Sequence, residues 1–177
     1  DTWVRNAAAE ALGVFTLCFI GIMAINSPND LTGLALAQGL AIGVMVAAVG
    51  HVSGGHFNPA ITLGLLLGRK IDLPMAGVYW AAQLLGGVIA AVVVALLVSR
   101  EAVAIGTPTL AADVNPLVGV LLEMVATFFL VLVVFGTVVD RRAPASVYPF
   151  AIGLTIAIGI LAIGAYTGGA LNPARGF

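Results

Sequence analysis

Two short segments of this chain carry side chains that can act on a solute, and they are nearly the same segment. Residues 53–64 read SGGHFNPAITLG and residues 167–177 read TGGALNPARGF, 114 positions apart. Each offers an amide (Asn58, Asn172), a proline without a backbone donor (Pro59, Pro173), an alanine (Ala60, Ala174) and a glycine pair (Gly54 and Gly55, Gly168 and Gly169). The first adds His56 and the second adds Arg175. Amides, an imidazole and a guanidinium hydrogen-bond a neutral molecule and repel or attract a charged one. The chain shows no Ser-His-Asp set, no phosphate-binding loop and only one thiol, Cys18, so an enzyme is not expected. His51 and His56, five apart across a Gly-rich turn, are a poor metal pair, and neither a metal nor a cofactor is expected.

The elements that position these segments follow from composition. The 177 residues are 61% hydrophobic, with seven Lys or Arg against eight Asp or Glu, and the mean hydropathy is +1.14. A soluble domain carries about 25% charged residues; this chain carries 8%. A net charge of −1 offers no basic surface for nucleic acid. A bilayer core needs about 20 apolar residues per helix, and stretches 6–25, 31–52, 73–98, 116–139 and 147–166 qualify. The apolar stretch 58–68 is too short, roughly 16 Å as a helix, and is expected to be a re-entrant half-helix.

Lys and Arg set the orientation. Arg5, Arg69, Lys70, Arg141 and Arg142 fall on one side if 53–68 enters and leaves the same face, which places the N-terminus in the cytoplasm. Asp72 with Pro74, and Asn115 with Pro116, mark helix starts. Few charges and short loops suggest a prokaryotic plasma membrane.

The segments belong to a larger repeat. EALGVF, from Glu10, matches EMVATF, from Glu123, and AQGLAIG (37–43) matches AIGLTIA (151–157). Each unit reads as a span with a buried Glu, a Gly-rich span, and a polar loop opening a half-helix. The first unit, 1–112, holds three spans; an odd number inverts the second unit, 113–177. That unit stops three residues after Ala174, so the chain reads as a fragment lacking most of a half-helix and a last span.

Inversion would bring the two half-helix N-termini together near the midplane. A helix N-terminus presents unpaired N–H groups and partial positive charge. Asn58 and Asn172 would cap the two ends with amides free for a solute, and Pro59 and Pro173 suit the first helical position. The glycines would expose backbone carbonyls, and irregular backbone at this depth is tolerable only where buried or facing a wet cavity. The expectation is a water-accessible path through the membrane.

Two Asn-Pro-Ala segments, each after [ST]-G-G-x-x and in register with a repeat, make the chain resemble the aquaporin, or major intrinsic protein, family along its whole length. The resemblance implies an all-α membrane protein: a right-handed bundle of six helices with an inverted repeat and two re-entrant half-helices, usually a homotetramer in the lipid bilayer with one pore per protomer. It implies passive passage of water or small neutral solutes. By position it assigns the narrow outer filter to Gln38, Ile160, Gly169 and Arg175, and the pore wall to His56, Gly54, Gly55 and Gly168. Water-selective members resemble Phe and His at the first two filter places, and glycerol channels a bulky aromatic at the first or third. Gln38, Ile160 and Gly169 look more like plant vacuolar-membrane members, which pass ammonia, urea or hydrogen peroxide beside water. Gly176 stands where glycerol channels usually have Asp.

Glu10 and Glu123 admit two readings. Intramembrane carboxylates often relay protons, which would make a secondary transporter. Their symmetric places, with no facing Lys or His, favour accepting hydrogen bonds from the re-entrant backbone. His51 is expected to be buried and to tie loop to helix. The glycine pairs Gly39/Gly43, Gly50/Gly54 and Gly164/Gly168 are expected to mark close helix packing.

Overall fold

The structure, a computed structural model, describes residues 2–176. The described residues form helices α1 (Thr2–Ile25), α2 (Leu31–Ser53), α3 (Pro59–Leu67), α4 (Leu73–Leu97), α5 (Arg100–Gly106), α6 (Pro116–Val134), α7 (Tyr148–Thr167) and α8 (Pro173–Gly176), with a π turn over Phe135–Val139 extending α6. Five are long and apolar enough to cross a membrane: α1, α2, α4, α6 with its π turn, and α7. Their bounds lie within a few residues of the stretches read from hydropathy. The α3 half-helix has nine residues.

Local chemistry explains where the helices begin. Asp30 Oδ1 accepts from Gly33 N at 2.8 Å and Asp72 Oδ1 from Met75 N at 2.8 Å. Asn115 Oδ1 accepts from Leu117 N at 2.9 Å, with Pro116 in the first helical position. Each side chain fills one of the donors that a helix leaves open at its start. Helix α5 was not anticipated, because 99–115 reads as a polar connection. Its signal is Ser99, whose Oγ accepts from Ala102 N at 3.0 Å and caps the run REAVAIG. In the α6–α7 loop Arg142 pairs with Asp140 at 2.6 Å and holds that carboxyl below its ordinary pKa.

Helix α1 packs along α4, and α2 packs along α7. The second contact needs glycine: a Cβ on Gly39 would lie 2.5 Å from the Gly153 carbonyl oxygen, and one on Gly43 would lie 3.1 Å from the Pro149 oxygen. The other two glycine pairs end helices, although a Cβ on Gly164 would also lie 3.0 Å from Leu31 Cδ1 of α2. Gly54 N donates to Gly50 O at 2.8 Å and Gly168 N to Gly164 O at 2.9 Å, closing α2 and α7 with left-handed turns (φ 93° and 79°). The returning chain then lies on Gly50 and Gly164: a Cβ on Gly55 or Gly169 would meet their Cα atoms at 3.1 and 3.4 Å. Leu40, Val44, Leu96, Leu97, Phe128 and Phe129 stand on the outer surface, which suits a lipid surround.

Gly39→Ala should lower stability by about 1–3 kcal/mol, because backbone on backbone cannot give way. Gly77→Ala should be neutral or raise it by up to about 1 kcal/mol, since nothing lies within 4 Å of its Cβ position and alanine favours helix. Unfolding of the two variants in mixed micelles checks the contrast.

Candidate functional site

The site is built by two carboxylates folding two loops. Glu10, buried in α1, accepts at Oε1 from Ser53 Oγ (2.6 Å) and His56 N (3.0 Å). Its Oε2 accepts from Phe57 N (2.6 Å) and Gln83 Nε2 (2.7 Å). Glu123 in α6 repeats this: Oε1 accepts from Thr167 Oγ1 (2.6 Å) and Ala170 N (3.0 Å), and Oε2 from Leu171 N (2.8 Å). The hydroxyls continue the relay, with Ser53 Oγ accepting from Gly55 N at 3.1 Å and Thr167 Oγ1 from Gly169 N at 3.2 Å. Both oxygens of each carboxylate accept from these donors. The clamp holds Phe57 and Leu171 in the left-handed region, both at φ 48°. That conformation costs roughly 1–2 kcal/mol per non-glycine residue, and charge-assisted bonds to the adjoining amides offset it.

The held loops present the asparagines to each other. Asn58 Oδ1 caps α3 through Ala60 N at 2.8 Å, while its Nδ2 donates to Leu171 O at 2.8 Å. Asn172 Oδ1 accepts from Ala174 N at 3.0 Å, while its Nδ2 donates to Phe57 O at 2.8 Å. Each asparagine therefore bonds the residue preceding the other, and the starts of the two half-helices abut. One N–H of each amide is committed across the junction, which the spacing did not indicate, and the second N–H remains. Pro59 and Pro173 stand first in their helices, and Trp80 Nε1 donates to Pro59 O at 3.1 Å.

Around this junction the residues assigned to the filter fall into two contacts. Gln38 and Ile160 are fully buried and Arg175 nearly so. Gln38 Oε1 accepts from Arg175 Nε at 2.5 Å. Gly169 lies on α7, where an added Cβ would be 3.0 Å from Ile160 Cα. Below Arg175, the Cys18 thiol donates to Ala174 O at 3.9 Å.

On the other side, His56 Nδ1 is 3.0 Å from Thr62 Oγ1, and its ring meets Tyr79 edge-on at 4.9 Å. Thr62 Oγ1 donates to Asn58 O (3.1 Å) and accepts from Gln83 Nε2 (3.0 Å). His56 must then donate from Nδ1, which leaves Nε2 as an acceptor. An added Cβ on Gly54 would lie 3.5 Å from that nitrogen.

His51 does not join the site. It is exposed in the last turn of α2, because the chain leaves that helix through Gly54 on the opposite side, toward Glu10. Sequence reasoning missed Ser53, Thr167, Thr62, Tyr79 and Gln83. Ser53 and Thr167 occupy equivalent places before the two glycine pairs, which was the available signal. Gln83 is the lone amide in an apolar span, and polar groups inside a membrane are seldom idle. Tyr79, whose hydroxyl donates to Ser53 O, carried no sequence signal.

A family model described as Major intrinsic protein matches residues 1–177. Aquaporin TIP4-4 of Zea mays is 40% identical over 188 residues, covering 98% of this chain and 73% of that protein. The probable aquaporin TIP-type RB7-5A of Nicotiana tabacum is 39% identical, covering 85% of this chain and 60% of that protein. Aquaporin NIP1-1 of Oryza sativa subsp. japonica is 37% identical, with 98% and 62% covered. The chain thus spans about three-fifths of the length of the last two relatives. The X-ray structure of the aquaglyceroporin from Plasmodium falciparum superposes with a TM-score of 0.86 at 29% identity, over 98% of this chain and 78% of that one.

Glu10→Gln should destabilise the protein by about 3 kcal/mol, because it turns a donor toward one of four existing donors in a buried site. Glu123→Gln should cost about 1 kcal/mol, since that carboxylate is only partly buried and holds three donors. Unfolding midpoints of the two variants test the order.

Proposed function

The chain belongs to the major intrinsic protein family, whose members are channels and not enzymes, and we propose that the full-length protein passes water and small neutral solutes passively while rejecting ions. It is a multi-pass integral membrane protein with an all-helical, aquaporin-like fold. The observation that carries the proposal is the junction of the two half-helices, each tied through its asparagine to the carbonyl before the other.

A solute reaching the junction meets the uncommitted N–H of Asn58 and of Asn172. A water there accepts from both, so its oxygen lone pairs are engaged and a proton cannot hop along the file through it. A cation meets only donors at the junction and then the buried guanidinium of Arg175. In a site with little water that charge is weakly screened, so cations are turned back while neutral molecules proceed. His56 Nε2 and the carbonyls of the glycine turns (Gly54, Gly55, Gly168) supply acceptors along the wall. At the filter, Gly169 adds no side chain and Ile160 gives an apolar face, which leaves room for ammonia, urea or hydrogen peroxide.

A glycerol-type facilitator is the second reading, supported by the fold-wide likeness to the Plasmodium falciparum aquaglyceroporin. The secondary-transporter reading is disfavoured because Glu10 and Glu123 spend both oxygens on loop donors. We read the chain as two inverted units, 1–112 and 113–177, in a homotetramer with a cytoplasmic N-terminus. The plant relatives give no support to a prokaryotic membrane.

Stopped-flow light scattering on proteoliposomes tests the proposal. Water permeability should exceed that of empty vesicles, with a flux that is linear in the osmotic gradient and insensitive to uncouplers. Arg175→Ala should raise cation leak at least about tenfold with water flux retained. Flux abolished by uncouplers would overturn the channel reading, and urea rejected in favour of glycerol would support the second one.

A further inference from the structure

Where α2 crosses α7, the contact leaves a groove of about 140 Å³ on the outer surface. Gly39, Gly43 and Gly153 form its floor, and the exposed side chains of Leu40, Val44 and Phe150 stand at its rims. Every residue that lines it is apolar. Left empty, the groove would forfeit the dispersion contacts of its lining, so in a bilayer something apolar fills it. One end of the groove is the first turn of α7, where Pro149 and Phe150 line it and Tyr148 precedes them. Tyrosine favours the headgroup level of a membrane, and the loop that feeds this turn carries Arg141 and Arg142. Among the described residues Arg142 is paired with Asp140, whereas Arg141 is exposed and has no ion-pair partner.

We infer that this groove binds an anionic phospholipid: one acyl chain lies on the glycine floor and the headgroup phosphate meets Arg141. The surface lies outside the solute path, so the inference goes beyond the channel reading. Shape alone would admit the tail of any lipid. A groove that ends beside an unpaired guanidinium selects an occupant with an apolar tail and an anionic head, because the guanidinium fork matches phosphate oxygens. A second copy docked here in a closed symmetric contact would bring its own basic loop toward this one, and like charges oppose that. Lys70 is also an exposed base, but it stands in the turn between α3 and α4 and does not line the groove. It separates the effect of this site from that of general surface charge.

The test takes the full-length protein, delipidated in neutral detergent micelles, and counts bound lipid by native mass spectrometry. The probes are dioleoylphosphatidylglycerol, dioleoylphosphatidylcholine and glycerophosphate. Phosphatidylglycerol should bind at least about fivefold more tightly than phosphatidylcholine, and glycerophosphate, which lacks the chains, should not displace it. Arg141→Gln should bring the two lipids to within about twofold of each other, while Lys70→Gln leaves the preference unchanged. Ala47→Phe fills the groove from an exposed position and should weaken phosphatidylglycerol binding at least about fivefold. If Ala47→Phe fails to fold, the surface variant Arg141→Gln decides. The inference is overturned by equal binding of the two lipids to the wild type, or by an unchanged preference in Arg141→Gln. Equal loss in Lys70→Gln, or undiminished binding in a folded Ala47→Phe, also overturns it. Displacement by glycerophosphate would mark a free-phosphate site instead. An oligomer that dissociates in Ala47→Phe would give the groove to a second copy, which likewise contradicts the inference.

Discussion

Backbone N–H groups that leave a helix inside a bilayer have no water to turn to, and every other feature of this structure depends on how that is met. Each unpaired group in hydrocarbon costs several kcal/mol. Here a single carboxylate per loop gathers the donors: His56 N and Phe57 N on Glu10, Ala170 N and Leu171 N on Glu123. A hydroxyl from Ser53 or Thr167 extends the reach by one more amide. These bonds give both oxygens of each carboxylate partners, and in return the loop acquires one shape. Two loops of one shape then meet, and the asparagines lock them.

This division of labour separates support from selection. The carboxylates, hydroxyls and left-handed turns fix where Asn58 and Asn172 stand and are spent in doing so. Among the described residues, groups with unspent capacity include one N–H on each asparagine, Nε2 of His56, Nε2 of Gln38, Oε1 of Gln83 and Nη2 of Arg175. They mix donors with acceptors and include one fixed positive charge. Packing serves the same end at a distance, since the glycine contact of α2 with α7 sets the spacing between Gln38 and Ile160.

Much of the fold was legible in the sequence because lipid enforces simple rules. Span length, the short 58–68 stretch and proline at helix starts each reflect one physical constraint, and each appears within a few residues of its expected place. The repeat pairs Glu10 with Glu123, 113 positions apart, and Asn58 with Asn172, 114 apart, in the sequence itself. What stayed hidden depends on side-chain direction. That the asparagines would bond each other's loops, that Gln38 would hold Arg175, and that His51 would turn outward cannot be read from spacing. The glycine pairs show the same limit: Gly39 and Gly43 mediate helix contact, while Gly50/Gly54 and Gly164/Gly168, at identical spacing, close helices. Helix α5 was masked by its polar setting.

The central claim, that the two loops form one mutually locked junction, is tested most directly by a double-mutant cycle on Asn58 and Asn172. Each is replaced by Ala, singly and together, and unfolding free energies are measured in mixed micelles. Because each side chain bonds the backbone preceding the other, loss of one tie should loosen the other. The account predicts a double variant less destabilised than the sum of the singles by about 1 kcal/mol or more. Additivity within about 0.5 kcal/mol would mean that the half-helices are held independently, which would contradict it.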